Sequence, residues 1–510
     1  MLRTVKKTAL AREWVLCLIP AFLLAASFPL FNFEFLAWVS FVPLFFNLKN
    51  KSKPKVFFLS FLTGVLFWLG TVYWLIHVTF AGMLLLVLYL GLYFGIFGLA
   101  AVSVLNHPRV GLRVIVIPAV WVLLEYARAH LLSGFPWALL SHSQYLNLPV
   151  IQIADITGAW GVSFLVMMVN VAIYMVVVES RILGRGGVLR KYGIVLLCLA
   201  ITFGYGYYKL SLTPAPQRQT PYTVSVIQGN IPQELKWDIR SRRAIINKYK
   251  ELTAQAVSRK PDLIIWPEAS LPVVLEEEPD YFAQVYGFIK EIKTPLLLGA
   301  VTLENGSYYN SALLMSADGE IQQKYNKLHL VPFGEYIPFR QTFPFLATIV
   351  PIGDISPGRK YSVFSSPQHP ANRFSVLICF EDLFPELSRV FVQKGAGFLV
   401  VMTNDAWFGK TSAAYQHCAA SVFRAVENRR PVVRSANTGI SGFVDPKGRI
   451  TALVADNNAE NIFIDGYLTR EVDAGSKHIS FYTRAGDVFI VVCVFCVLCG
   501  IIFSFRKKSS

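Results

Sequence analysis

Acidic residues are nearly missing from the first 210 positions, where five Asp/Glu face 16 Lys/Arg. Between Val56 and Pro108 charge of either sign is absent altogether. That gap excludes a solvent-facing fold for this part of the chain and leaves room for two membrane spans at about 20 residues each. Cysteine is scarce too, with seven in 510 residues, which excludes a disulfide scaffold. Disorder is excluded by what is plentiful: 54% of the residues are hydrophobic and 14% aromatic. Internal repeats and low-complexity tracts are lacking.

The formal charge of +16 divides unevenly, with +11 in residues 1–210, +3 in 211–486 and +2 in 487–510. A nucleic-acid groove would put its Lys/Arg on the polar part, so no nucleic-acid partner is expected. The basic residues instead cluster between apolar stretches: Arg3 to Arg12, Lys49 to Lys55, Arg109 with Arg113, Arg181 to Lys191, and Arg506 to Lys508. Spans are expected at Trp14–Pro29, Phe35–Leu48, Phe57–Phe80, Met83–Leu105, Val114–Ala127, Gly161–Val178, Tyr192–Leu210 and Val488–Phe505. With a cytoplasmic amino terminus, the cytoplasmic segments hold all five clusters. Seven crossings then leave residues 211–486 outside. Ala25, Ala26 and Ser27 mimic a signal-peptide cleavage site, but cleavage would put the basic loops on the wrong side.

The expected organisation is a seven-span membrane domain (1–210), a proline-rich linker (211–221), an α/β domain (222–486), and a last span with a basic tail (487–510). In the α/β domain, apolar runs such as Val224–Ile227, Leu263–Trp266, Leu296–Val301, Phe374–Cys379 and Phe398–Met402 read as strands. Arg242–Val257, Tyr281–Ile292 and Tyr415–Asn428 have helical periodicity.

Three strand ends carry reactive side chains. Glu268 follows the run Leu263–Trp266 and Pro267, at a sheet's carboxyl edge where α/β sites lie. A capping or salt-bridged surface glutamate is the competing reading. Lys327 and Glu335 share a loop held by Pro332 and Pro338, and a solvated lysine would look the same. Cys379 ends a strand, and Pro385 announces a helix soon after. Sharp turns of this kind expose a nucleophile and aim backbone amides at a developing oxyanion.

Glu268, Lys327 and Cys379, in that order and those contexts, resemble the Glu-Lys-Cys triad of the nitrilase, or carbon–nitrogen hydrolase, superfamily. Supporting segments are Gln228–Gln233 with Trp237, Val331–Pro338, Asn404–Gly409, Arg434–Ser441 and Thr483–Asp487. One local departure is Phe380, where that family usually has tyrosine after the nucleophile. With seven spans before the domain and one after, the chain resembles the apolipoprotein N-acyltransferase branch along essentially its whole length.

The resemblance implies an αββα sandwich with catalytic Glu268, Lys327 and Cys379, supported by Glu335 and Glu381. It implies acyl transfer from a phospholipid donor through a Cys379 thioester to the α-amine of a diacylglyceryl-modified apolipoprotein, the final step of lipoprotein maturation. No cofactor and no metal are required. A monomer in the bacterial inner membrane is expected, with a periplasmic catalytic domain and both termini cytoplasmic.

Trp237 and Trp407, in loops after strands, are candidates to line acyl or headgroup paths, with simple packing the competing reading. Glu125, near the outer end of the fifth span, is a candidate for a headgroup mouth or else an interfacial residue. Phe339 and Phe345 lie in the apolar segment 333–360, read either as a membrane-facing lid or as a loop folded on its own core. Cys493, Cys496 and Cys499 fall inside the last span and read as packing residues. Cys418 adjoins His417 on a helix, where neighbours point apart, so no Cys-His pair is expected. A Cys379–Cys418 disulfide is formally possible. Arg424, Glu427 and Arg430 read as a structural charge network. Two other functions compete: a membrane-anchored nitrilase-type amidase, and a non-enzymatic transporter or ligand-binding protein.

Overall fold

The computed structural model describes residues 2–105, 107, 110–212, 222–337, 355–366, 368–474 and 478–505. They form two compact units, Met1–Leu212 with Ala485–Ser510, and Thr213–Arg484.

Among the described residues of the first unit, five helices are long and apolar enough to cross a membrane: Lys53–Thr71, Phe80–Leu105, Gly111–Ser133, Ala159–Glu179 and Lys191–Ser211. The apolar helices Glu13–Ala26, Glu34–Leu48, Leu148–Thr157 and Val488–Ile502 are shorter. Of the eight expected spans, the first falls on the helix Leu2–Ala26, the last on Val488–Phe505, and the second on a short turn and helix within Glu34–Leu48. Lys53–Thr71 and Phe80–Leu105 approach closely because small residues line their seam. A Cβ on Gly64 would lie 2.6 Å from Phe94, and one on Gly98 would lie 2.0 Å from the Ser60 hydroxyl.

Helical turns follow one another from Ala159 to Ser211, where two spans and a basic loop were expected. The stretch nevertheless doubles back. Twelve residues of straight helix cover about 18 Å, yet Lys191 Nζ lies 3.4 Å from Glu179 Oε2. The Tyr205 hydroxyl likewise donates to Asp155 at 2.7 Å, although it lies 50 positions further along. The chain therefore reverses between Glu179 and Lys191, around the basic cluster.

The second unit is a sandwich of two sheets. Its strands are β1 (Tyr222–Gln228), β2 (Leu263–Ile265), β3 (Leu271–Val274), β4 (Leu296–Glu304), β5 (Ser307–Met315), β6 (Ile321–Asn326), β7 (Phe364–Ser366), β8 (His369–Ile378), β9 (Phe398–Thr403), β10 (Val432–Ala436), β11 (Gly442–Val444), β12 (Ile450–Leu453) and β13 (Gly466–Val472). One sheet has the order β13-β1-β2-β4-β5-β6 with β3 also on β4, and the other β12-β11-β10-β9-β8-β7. Within them β1, β2 and β4 are mutually parallel, as are β8, β9 and β10.

The Ser435 hydroxyl on β10 joins the sheets by donating to the carbonyls of Ile227 (3.2 Å) and Ile265 (3.1 Å). Helices Arg242–Val257 and Pro279–Ile292 pack on the first sheet through Ile246, Tyr249, Val285 and Ile289. Pro385–Gln393 and Ala413–Asn428 cover the second. The result is the four-layer αββα arrangement, with β1, β2, β8, β9 and β10 all ending at one edge.

Candidate active site

Glu268 follows β2 and Cys379 follows β8, so the sandwich brings residues more than a hundred positions apart to one edge. Lys327 leaves β6, which pairs antiparallel to β5, as β5 does to β4, and so runs toward the same edge. Two turns there are left-handed at non-glycine residues: Cys379 has φ +53° and Ala269, after Glu268, has φ +43°. Such conformations cost on the order of 1–3 kcal/mol and persist only where the surroundings enforce them.

Lys327 is enclosed, at 1% exposure. Its Nζ lies 2.9 Å from Glu335 Oε2 and 3.6 Å from Glu268 Oε1. Burial disfavours its ammonium, but the Glu335 and Glu268 carboxylates prevail and hold its pKa above the ordinary value. Burial also pushes the Cys379 thiol well up; Glu268 adds to that push and Lys327 opposes it. A thiol pushed up in this way is held in its neutral form and would need a base before it could attack.

Glu335 braces Lys327 and accepts from the Val331 amide at 2.8 Å. Glu381 is the second supporting carboxylate, and it is fully enclosed. It accepts from the Tyr325 hydroxyl (2.7 Å), the Leu328 and His329 amides (2.7 and 3.1 Å) and the Ile378 amide (2.7 Å). It thus ties the Tyr325 side chain, before Lys327, and the main chain after it to the Cys379 turn. Burial pushes its pKa up to about 7 against these donors.

Three groups at the site escaped the sequence reading. The Asn310 amide nitrogen donates to Glu268 Oε1 and Glu335 Oε1, both at 2.8 Å. Buried Lys236 donates from Nζ to the Glu268 carbonyl at 2.9 Å, and burial lowers its pKa to about 8. His417 reaches the Cys379 carbonyl at 3.2 Å. Asn310 stands at the mouth of an apolar run and Lys236 beside Trp237, but neither position distinguishes them in sequence from surface residues.

Trp237 and Trp407 are both about half exposed, at 46% and 47%. Their loops are joined, since Asn404 donates to Gln233 Oε1 at 2.8 Å. Phe339 and Phe345 lie outside the described residues, as does most of the segment 333–360. Glu125 lines a mostly apolar cavity of the first unit, together with Trp68, Phe94, Trp121 and Arg128. It is 4% exposed, and its Oε1 accepts from the Leu140 amide at 2.6 Å. Arg128, one turn on, donates to the carbonyls of Phe135 and Trp137, so this pair pins the segment that follows its helix. Cys379 and Cys418 are both free thiols, so the formally possible disulfide does not form.

An αββα sandwich that brings a partly exposed cysteine, a buried lysine and a buried glutamate to one edge defines a carbon–nitrogen hydrolase domain, and residues 223–475 match the family profile described as Carbon-nitrogen hydrolase. Residues 20–172 match the Apolipoprotein N-acyltransferase N-terminal domain. Over 98% of its length the chain is 38% identical to the apolipoprotein N-acyltransferase of Geobacter metallireducens, covering 96% of that protein. It is 31% identical to the Chlorobaculum tepidum protein of the same name, with 95% of each covered. The chain belongs to the apolipoprotein N-acyltransferase family. Among solved structures, an amidase from Nesterenkonia sp. aligns at 18% identity with a TM-score of 0.40, covering 54% of this chain and 96% of that one.

Proposed function

We propose that this protein transfers an acyl chain from a phospholipid to the α-amine of the diacylglyceryl-cysteine at a lipoprotein's amino terminus. The observation that carries the reading is the meeting of Glu268, Lys327 and Cys379 at one sandwich edge, in a chain of this family.

In the first half Glu268 takes the thiol proton as Cys379 Sγ attacks the ester carbonyl, and the carbonyl π pair becomes an oxyanion. Lys327 and the Phe380 amide stabilise it, at about 3–4 kcal/mol per well-placed donor. Collapse breaks the ester C–O bond, and Glu268 returns the proton to the departing lysophospholipid oxygen. In the second half the amine attacks the thioester, forming C–N and breaking C–S. Glu268 passes the amine proton to the leaving thiolate. Thioester to amide is downhill, so this route draws on no nucleotide.

Glu335 orients Lys327, Glu381 fixes the two loops together, and exposed Trp237 and Trp407 flank the route by which lipid enters. By the distribution of basic clusters, residues 222–486 face the periplasm and both termini the cytoplasm. The full chain in micelles, given phospholipid and a diacylglyceryl-cysteine peptide, should yield N-acylated peptide and lysophospholipid in equal amounts. Release of free fatty acid with no change in the peptide would instead mark a hydrolase.

A further inference from the structure

Behind the nucleophile lies a buried charge cluster that the acyl-transfer steps leave unused. His417, on the helix Ala413–Asn428, is enclosed with Asp382, Asp405 and Arg434, none more than 1% exposed. Its Nδ1 lies 2.8 Å from Asp405 Oδ1. Its Nε2 faces two acceptors, Asp382 Oδ1 at 2.8 Å and the Cys379 carbonyl oxygen at 3.2 Å. A ring with acceptors against both nitrogens must carry a hydrogen on each, which makes it the imidazolium. Burial opposes that charge, but Asp382 and Asp405 prevail and raise its pKa to about 9. Arg434 Nη1, 2.9 Å from Asp382 Oδ2, supplies the second cation, so two carboxylates meet two positive charges. A Cβ on Gly439 would lie 1.9 Å from Asp405 Oδ2, so only glycine leaves that carboxylate its place.

The Cys379 carbonyl and the Phe380 N–H are opposite ends of one planar peptide group. A cationic donor on the oxygen draws electron density through the amide and strengthens the N–H as a donor. It also holds the plane of a peptide that follows a strained, left-handed residue. Building on the acyl-transfer reading above, we propose that His417 is a positioning residue that aims and polarises the Phe380 N–H toward the oxyanion through the Cys379–Phe380 peptide. It meets no substrate atom, and no bond forms or breaks at its ring.

The test uses full-length protein in micelles, acylated from phospholipid carrying 13C at the acyl carbonyl. It records the thioester carbonyl stretch and the single-turnover acylation rate. H417F should slow acylation about tenfold, since a weakened oxyanion donor costs less than a lost one. It should also move the band to higher wavenumber and leave the KM for phospholipid nearly unchanged. H417Q, which keeps a neutral donor, should recover part of both effects. D405N, which weakens the imidazolium without touching the ring, should move the band the same way and serves if H417F fails to fold. A band unmoved in H417Q and D405N acyl-enzymes would overturn the proposal. Wild-type protein that never forms an acyl-enzyme would overturn the acyl-transfer reading itself, so the two failures are distinct.

Discussion

Asn310 carries no charge, yet its single amide nitrogen holds the Glu268 and Glu335 carboxylates on either side of Lys327. Hydrogen bonds to charged groups contribute about 1.5–3 kcal/mol. N310A should therefore lower the acylation rate by roughly tenfold to a hundredfold with circular dichroism unchanged; an unimpaired rate would show that Lys327 alone organises the carboxylates. The Cys379 thiol, pushed up by burial and by Glu268, stays protonated at neutral pH. Iodoacetamide should accordingly label it slowly at pH 7 and faster with rising pH, whereas fast, pH-independent labelling would reveal a preformed thiolate. Glu268, Lys327 and Cys379 were legible because each ends a strand or opens a proline-bounded loop. Asn310, Lys236 and His417 were not, because their partners lie 42, 32 and 38 positions away and only folding reveals the pairing.

The turn that presents Glu268 depends on the strand beside it. Gly299 on β4 lies so close that an added Cβ would meet the Ala269 nitrogen and the Pro267 carbonyl oxygen, each at 2.6 Å. Those are backbone atoms and cannot swing aside. G299A should cost on the order of 1–3 kcal/mol in stability and depress acylation beyond what that loss explains, as seen by comparing thermal midpoints with rates on folded protein. Buried strands such as β9, with every residue enclosed, stood out as apolar runs. Strands such as β6, whose sequence Ile-Gln-Gln-Lys-Tyr-Asn is mostly polar and has one buried residue, and three-residue β7 and β11 carry no such signature. The three amphipathic helices were legible because their apolar faces meet a sheet. The helical turns that join the two spans were not, since clustered Arg and Lys at 181–191 read as a loop while their backbone can still turn helically.

Across the whole chain, the +16 is explained by where it lies. Its greater part, +11, belongs to the apolar unit, while residues 211–486 carry only +3. The charge that would suggest an acidic partner on a soluble protein here flanks membrane-spanning segments, leaving the α/β unit to its chemistry. The proposed acyl transfer rests on one covalent bond. Purified full-length protein mixed with phospholipid, without acceptor, should gain the mass of one acyl chain, and peptide mapping should place it on Cys379. The adduct should vanish in C379A and on addition of a diacylglyceryl-cysteine peptide. An acyl group on another residue, or a C379A protein that still acquires one, would contradict the account.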